Sequence, residues 1–82
     1  MKKYWYKVCP RCHQGRLFIM KYRDRSDLLL LCEECEWAYD HPRDATTTEN
    51  GFLGLDIDSE FADGAEISRA RWKEFAHEVT ED

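Results

Sequence analysis

The chain has 82 residues, of which 43% are hydrophobic and 35% charged, with four cysteines and a formal net charge of −5. That length holds a single domain, 1–82, whose modest core calls for a staple such as a metal, disulfides or a partner subunit. The composition excludes a disordered acidic chain, and the longest strongly apolar run, Leu28–Cys32, is far too short for a membrane-spanning helix.

At the front, Tyr4, Trp5, Tyr6 and Lys7 break the apolar stretch that a secretory signal would need, so a cytoplasmic protein is expected. The leader "YWYKV" alternates like a strand, with Tyr4, Tyr6 and Val8 on one side. "RLFIMKYR" and "DLLLLC" are β-like runs joined by the polar turn "DRSD", and "EWAYD" makes a further short strand. The leucine run reads as a central strand covered on both faces.

The four cysteines, Cys9, Cys12, Cys32 and Cys35, follow the pattern C-x2-C-x19-C-x2-C. A two-residue spacer lets one tight turn aim two sulfurs at a common point, and a nineteen-residue hairpin returns the second turn beside the first. Two disulfides would need an oxidising compartment, and a redox C-x-x-C normally opens a helix in a βαβ setting that is missing here. The spacing therefore points to one zinc ion. Four thiolates leave no open position for water, so that ion is structural. His13 and His41 are read as surface residues, since four thiols already complete the set. The knuckles "CPRC" and "CEEC" give residues 4–40 a resemblance to a zinc ribbon, although His13 follows the first knuckle and Gly15 comes only two positions later.

Pro42 ends the last strand of the ribbon (1–43), and residues 44–63 form an acidic connection anchored by Phe52, Leu53, Leu55 and Ile57. Asp63 with Glu66 makes a capping box, and Ala65, Ser68, Trp72, Phe75, Ala76 and Val79 form an apolar stripe at helical spacing. The expected fold is α+β: an antiparallel sheet of three to four strands, packed by one C-terminal amphipathic helix over 64–80.

Charge is unevenly spread. Residues 1–43 carry nine Lys/Arg against six Asp/Glu, and residues 44–82 carry three against eleven. Lys2, Lys3, Lys7, Arg11, Arg16, Lys21, Arg23 and Arg25, with Tyr4, Trp5, Tyr6 and Tyr22 among them, are the residues a nucleic-acid surface would use. Glu33 and Glu34 inside the second knuckle, and the acidic tail, oppose phosphate and disfavour that reading. Counted as a calcium loop from Asp56, the sixth position is Phe61 and the twelfth Ile67, so the loop motif fails. No histidine sits in a catalytic motif, and zinc would consume every thiol, so no enzyme is expected.

The longer string "CPRCHQGRLFI … LLLLCEECEWAYDHPRDA", including Trp37, Pro42 and Ala45, is similar to small bacterial zinc-ribbon proteins, some of which are immunity proteins of polymorphic toxin systems. That resemblance implies a cytosolic protein that binds one cognate toxin and blocks it. The acidic residues fit a basic cleft of such a partner by charge: Asp56, Asp58, Glu60 and Asp63 first, then Glu33, Glu34 and Glu36. A nucleic-acid-associated zinc ribbon is the alternative.

Overall fold

Alternation along the two most apolar runs builds the centre of the molecule. In the computed structural model, which describes residues 2–80, strand β2 (Arg16–Tyr22) pairs antiparallel with strand β3 (Leu28–Cys32). The register places Leu17 opposite Cys32, Ile19 opposite Leu30 and Lys21 opposite Leu28. Leu17, Ile19, Leu28 and Leu30 join the larger core cluster, while Phe18, Met20, Tyr22 and Leu29 join a second one on the other side of the sheet. Each fully buried aliphatic side chain here contributes about 1.5–3 kcal/mol. A central leucine strand covered on both faces is what the sequence implied.

Five more strands complete one sheet among the described residues: β1 (Lys2–Val8), β4 (Trp37–Tyr39), β5 (Phe52–Leu53), β6 (Ser59–Phe61) and β7 (His77–Thr80). Their order is β5-β4-β3-β2-β1-β7, with β6 also paired to β2. The β2 edge is shared. Its first half pairs with the end of β1 (Val8 opposite Arg16, Trp5 opposite Phe18), and its second half pairs with β6 (Met20 opposite Phe61). A bulge between Trp5 and Val8 marks where β1 begins to leave β2.

The expectation of three to four strands under a C-terminal helix is therefore corrected. Among the described residues only Gly64–Arg69 is α-helical (α1), a 3-10 turn follows at Lys73–Phe75, and strand β7 comes after it. The capping box is present: the Asp63 carboxylate accepts from the Glu66 N–H at 2.7 Å, and the Glu66 carboxylate accepts from the Asp63 N–H at 3.0 Å. The helix stops because Arg71 turns left-handed, with φ 64°. The Trp72 N–H then reaches the Ile67 carbonyl and the Arg71 N–H reaches that of Ser68, the bond pattern of a Schellman ending.

What outweighs helix periodicity is the open edge of β1. β7 satisfies that edge by pairing Lys2 with Thr80 through Trp5 with His77. The Trp5 and His77 rings lie 5.2 Å apart, and Lys2 meets Glu78 at 3.4 Å. The expected apolar stripe is divided accordingly. Trp72, Phe75 and Ala76 pack on the larger core, and Val79 packs on the other side. The 44–63 connection also contains two strands, β5 and β6, and follows a 3-10 turn at Pro42–Thr46. Among the described residues no helix is long and apolar enough to cross a membrane.

An arginine at a left-handed position is strained relative to glycine. Arg71→Gly is expected to raise stability by about 0.5–1 kcal/mol, whereas Asp63→Ala should lower it by about 1 kcal/mol through loss of the cap. Urea denaturation of the metal-loaded chain measures both.

Candidate metal centre

The β2–β3 register delivers the second knuckle to the first. Cys32 is the last residue of β3 and lies opposite Leu17, while Cys9 directly follows β1. Each knuckle is a backbone-bonded turn. In the first, the Cys9 N–H donates to the Gly15 carbonyl at 2.8 Å, the His13 N–H donates to the Cys9 carbonyl at 2.9 Å, and the Gly15 N–H points at the Cys12 sulfur at 3.4 Å. In the second, the Glu34 and Cys35 N–H groups point at the Cys32 sulfur at 3.4 and 3.5 Å. The residue after the second cysteine is left-handed in both knuckles, His13 at φ 58° and Glu36 at φ 64°. Glycine suits this position best, so each knuckle holds its turn at a cost of about 1 kcal/mol.

The four cysteine sulfurs lie within 4.8 Å of one another. Across the knuckles, Cys9 and Cys35 are 3.8 Å apart, and Cys12 and Cys32 are 3.6 Å apart. A tetrahedron with metal–sulfur bonds of ~2.3 Å has edges of about 3.8 Å, so the donor set fits one thiophilic ion. The four cysteines thus form a cluster whose geometry is suited to holding a metal ion. Its inner members, Cys9 and Cys32, are sealed from solvent, and Cys12 and Cys35 are partly exposed.

The electrostatics divide in the same way. Burial pushes the Cys32 thiol up to about 12 and raises that of Cys9, while the Gly15 and Gln14 N–H groups bring Cys12 down to about 6. A cation placed among the sulfurs supplies the positive charge that the two sealed thiolates need in order to form.

Around this centre are contacts that the sequence reading missed. The Arg11 guanidinium lies 4.5 Å over the Trp37 ring, and Gly51 leaves room for that indole, whose buried Nε1 has no hydrogen-bond partner among the described residues. Gly15 is a packing glycine: a Cβ there would come within 2.6 Å of the Cys32 sulfur and 2.8 Å of Glu34.

The carboxylates named for partner contact do not form one cluster. Glu33 is clamped by Arg16, accepting from its backbone N–H and its Nε, both at 2.9 Å, and this pairing holds the Glu33 carboxyl below its usual range. Since Leu17 faces Cys32, the next pair along the hairpin is Arg16 with Glu33, so opposite charges one step beyond the register were the available signal. Asp58 pairs with Arg23 at 2.8 Å, and Glu60 lies 3.7 Å from both Lys21 and Arg23. Asp63 caps α1. Asp56 and Asp58 line a shallow cleft with Arg23, Asp24 and Arg25. The Asp56, Glu34 and Glu36 side chains make no hydrogen bond or ion pair among the described residues. His41 caps the Pro42–Thr46 turn and meets the Trp72 ring edge-on at 5.4 Å, and the metal cluster does not include it or His13.

Compared with protein-family models, curated proteins and solved structures, the chain matches none.

Gly15→Ala is expected to weaken metal binding roughly tenfold or more, because the added methyl displaces a ligand sulfur. His13→Gly should keep the affinity and add about 0.5–1 kcal/mol of stability. Competition with a chromophoric chelator and thermal melts separate the two effects.

Proposed function

We propose that the chain is a non-catalytic, zinc-pinned protein-binding module of the cytoplasm, acting as an immunity-type inhibitor that occupies the basic cleft of a cognate bacterial toxin. The four-sulfur cluster carries the metal part of this reading. Its edges match a zinc–thiolate tetrahedron, and with all four thiols committed to one ion no cysteine nucleophile remains. When bound, zinc supplies cross-linking energy and no chemistry. Cys9, Cys12, Cys32 and Cys35 would hold it, and the knuckle N–H groups would share the thiolate charge.

The partner part rests on charge bookkeeping. Five of the basic residues a phosphate-binding face would use are engaged with carboxylates: Lys2, Arg16, Lys21, Arg23 and Arg25. The net charge of −5 and the unpaired Asp56, Glu34 and Glu36 favour a positive protein surface over a nucleic acid.

Elemental analysis should give one zinc per chain, and chelation or Cys32→Ser should abolish the folded circular-dichroism spectrum, since structural zinc contributes on the order of 10 kcal/mol. A folded, metal-free protein would refute the zinc assignment. For the partner, titration calorimetry against a toxin domain with a basic cleft should show a one-to-one complex that removes toxin activity. Absence of that complex, together with tight duplex binding that collapses with added salt, would replace the inhibitor reading with a nucleic-acid one.

A further inference from the structure

The four sulfurs divide by access as well as by knuckle. Cys9 and Cys32 are sealed, at 0% and 1% exposure, whereas Cys12 and Cys35 are partly exposed. Each accessible sulfur has a sealed one in contact across the knuckles. Cys32 lies 3.6 Å from Cys12, and Cys9 lies 3.8 Å from Cys35. A shift of about 1.5–1.8 Å brings either pair to the separation of a disulfide.

The surroundings of the two accessible sulfurs differ. Cys12 stands in the chain between the exposed Arg11 and His13, and the Gly15 N–H points at its sulfur. Cys35 stands between Glu34 and Glu36. Attack on a peroxide expels hydroxide, so cationic groups and N–H donors beside the sulfur favour the step and carboxylates oppose it. Cys12 is therefore the sulfur that an oxidant modifies first. Metal ligation keeps that sulfur as a thiolate, which is the form a peroxide oxidises.

We propose that Cys12 is an oxidative modification site with Cys32 as its resolving thiol, and that hydrogen peroxide converts the cluster into two cross-knuckle disulfides. The Cys12 thiolate attacks one peroxide oxygen, the O–O bond breaks, and hydroxide leaves. Sulfur is oxidised to a sulfenic acid as the peroxide is reduced. The Cys32 thiolate then attacks the Cys12 sulfur, forming the S–S bond and expelling the second oxygen as hydroxide. Cys35 and Cys9 repeat the sequence with a second peroxide. The hydroxides take protons from solvent, and an ion held by the four thiolates goes free.

Bonds across the knuckles change what holds the molecule together. Cys9 follows β1 and Cys32 ends β3, and both new bonds run from the first knuckle to the second, so the strands joined at the cluster stay joined. Disulfides within the knuckles, Cys9–Cys12 and Cys32–Cys35, would leave the two turns separate. The oxidised chain is thus a metal-free, covalently stapled form, distinct from a reduced chain that folds without metal. A transient pulse of peroxide suffices, so no permanently oxidising compartment is needed. This chemistry rests on the four-sulfur cluster alone and not on the toxin reading.

Hydrogen peroxide treatment of the zinc-loaded full chain tests it. Trypsin cuts after Arg11 and a glutamate-specific protease cuts after Glu33 or Glu34, so the four cysteines fall on separate peptides. Mass spectrometry of the unreduced digest should find Cys12 joined to Cys32 and Cys9 joined to Cys35, in a chain about 4 Da lighter than the reduced one. Dimedone present during the reaction should trap sulfenic acid at Cys12 before any other cysteine. A chromophoric chelator should register loss of all bound zinc while the circular-dichroism spectrum keeps its sheet signal, and a dithiol reductant with added zinc should reverse both changes. Disulfides within the knuckles, first trapping at another cysteine, or an unfolded spectrum after oxidation would each overturn the proposal. So would thiols that survive excess peroxide or pass to sulfinic acid without forming a disulfide. A reduced chain that takes up no zinc defeats the zinc assignment instead, and the peptide map still decides the disulfide pairing.

Discussion

The placement of four sulfurs at the closed end of the β2–β3 hairpin is the constraint on which the remaining structure hangs. Cys32 is at once the last residue of a core strand and a member of the four-sulfur cluster, so the register that buries Leu30 against Ile19 also sets the position of that cluster. Cys9 then ties the end of β1 to the same point, which fixes where β1 meets β2 and leaves the rest of the β2 edge open for β6. A chain this short divides its apolar residues between two thin clusters on opposite sides of one sheet. Neither cluster alone is a large core, and the knuckles hold the strands that both clusters share.

The parts of the molecule written in local pattern were legible. The first four strands, the polar turn after β2, the cysteine set and the Asp63–Glu66 capping box all follow from spacing and from period-two alternation within a few residues. What was not legible depends on neighbours far away in sequence. From Ala65 to Val79 the residues have helical spacing, yet an arginine adopting a left-handed turn and a strand edge some seventy residues upstream decide the outcome. β5 and β6 are two and three residues long, too brief to leave a periodic trace, and each exists because a neighbouring edge needed partners. The two glutamates of the second knuckle differ for the same reason. Glu33 is consumed by the residue across the hairpin, and the partner of a side chain cannot be read from its own segment.

Charge asymmetry along the chain also changes meaning once the fold is known. The basic front half and the acidic back half do not form two opposed surfaces. They are folded against one another: Lys21 against Glu60 and Glu66, Arg23 against Asp58 and Glu60, Lys2 against Glu78. Each such exposed pair contributes only about 0–1 kcal/mol. Together they orient the back half on the hairpin, and they leave the excess of negative charge on the outside.

The pairing of β7 with β1 has a consequence for the order of assembly. The hairpin and both knuckles lie within residues 9–35, so a growing chain can gather its four sulfurs before the residues of β7 have been made. The join between Lys2–Trp5 and His77–Thr80 pairs segments about seventy residues apart and closes a long loop. Until then β1 keeps a bare backbone edge on a molecule whose four sulfurs are already gathered. The interval before His77–Thr80 pairs with β1 is thus when this edge is most open to strand-to-strand association with neighbouring molecules.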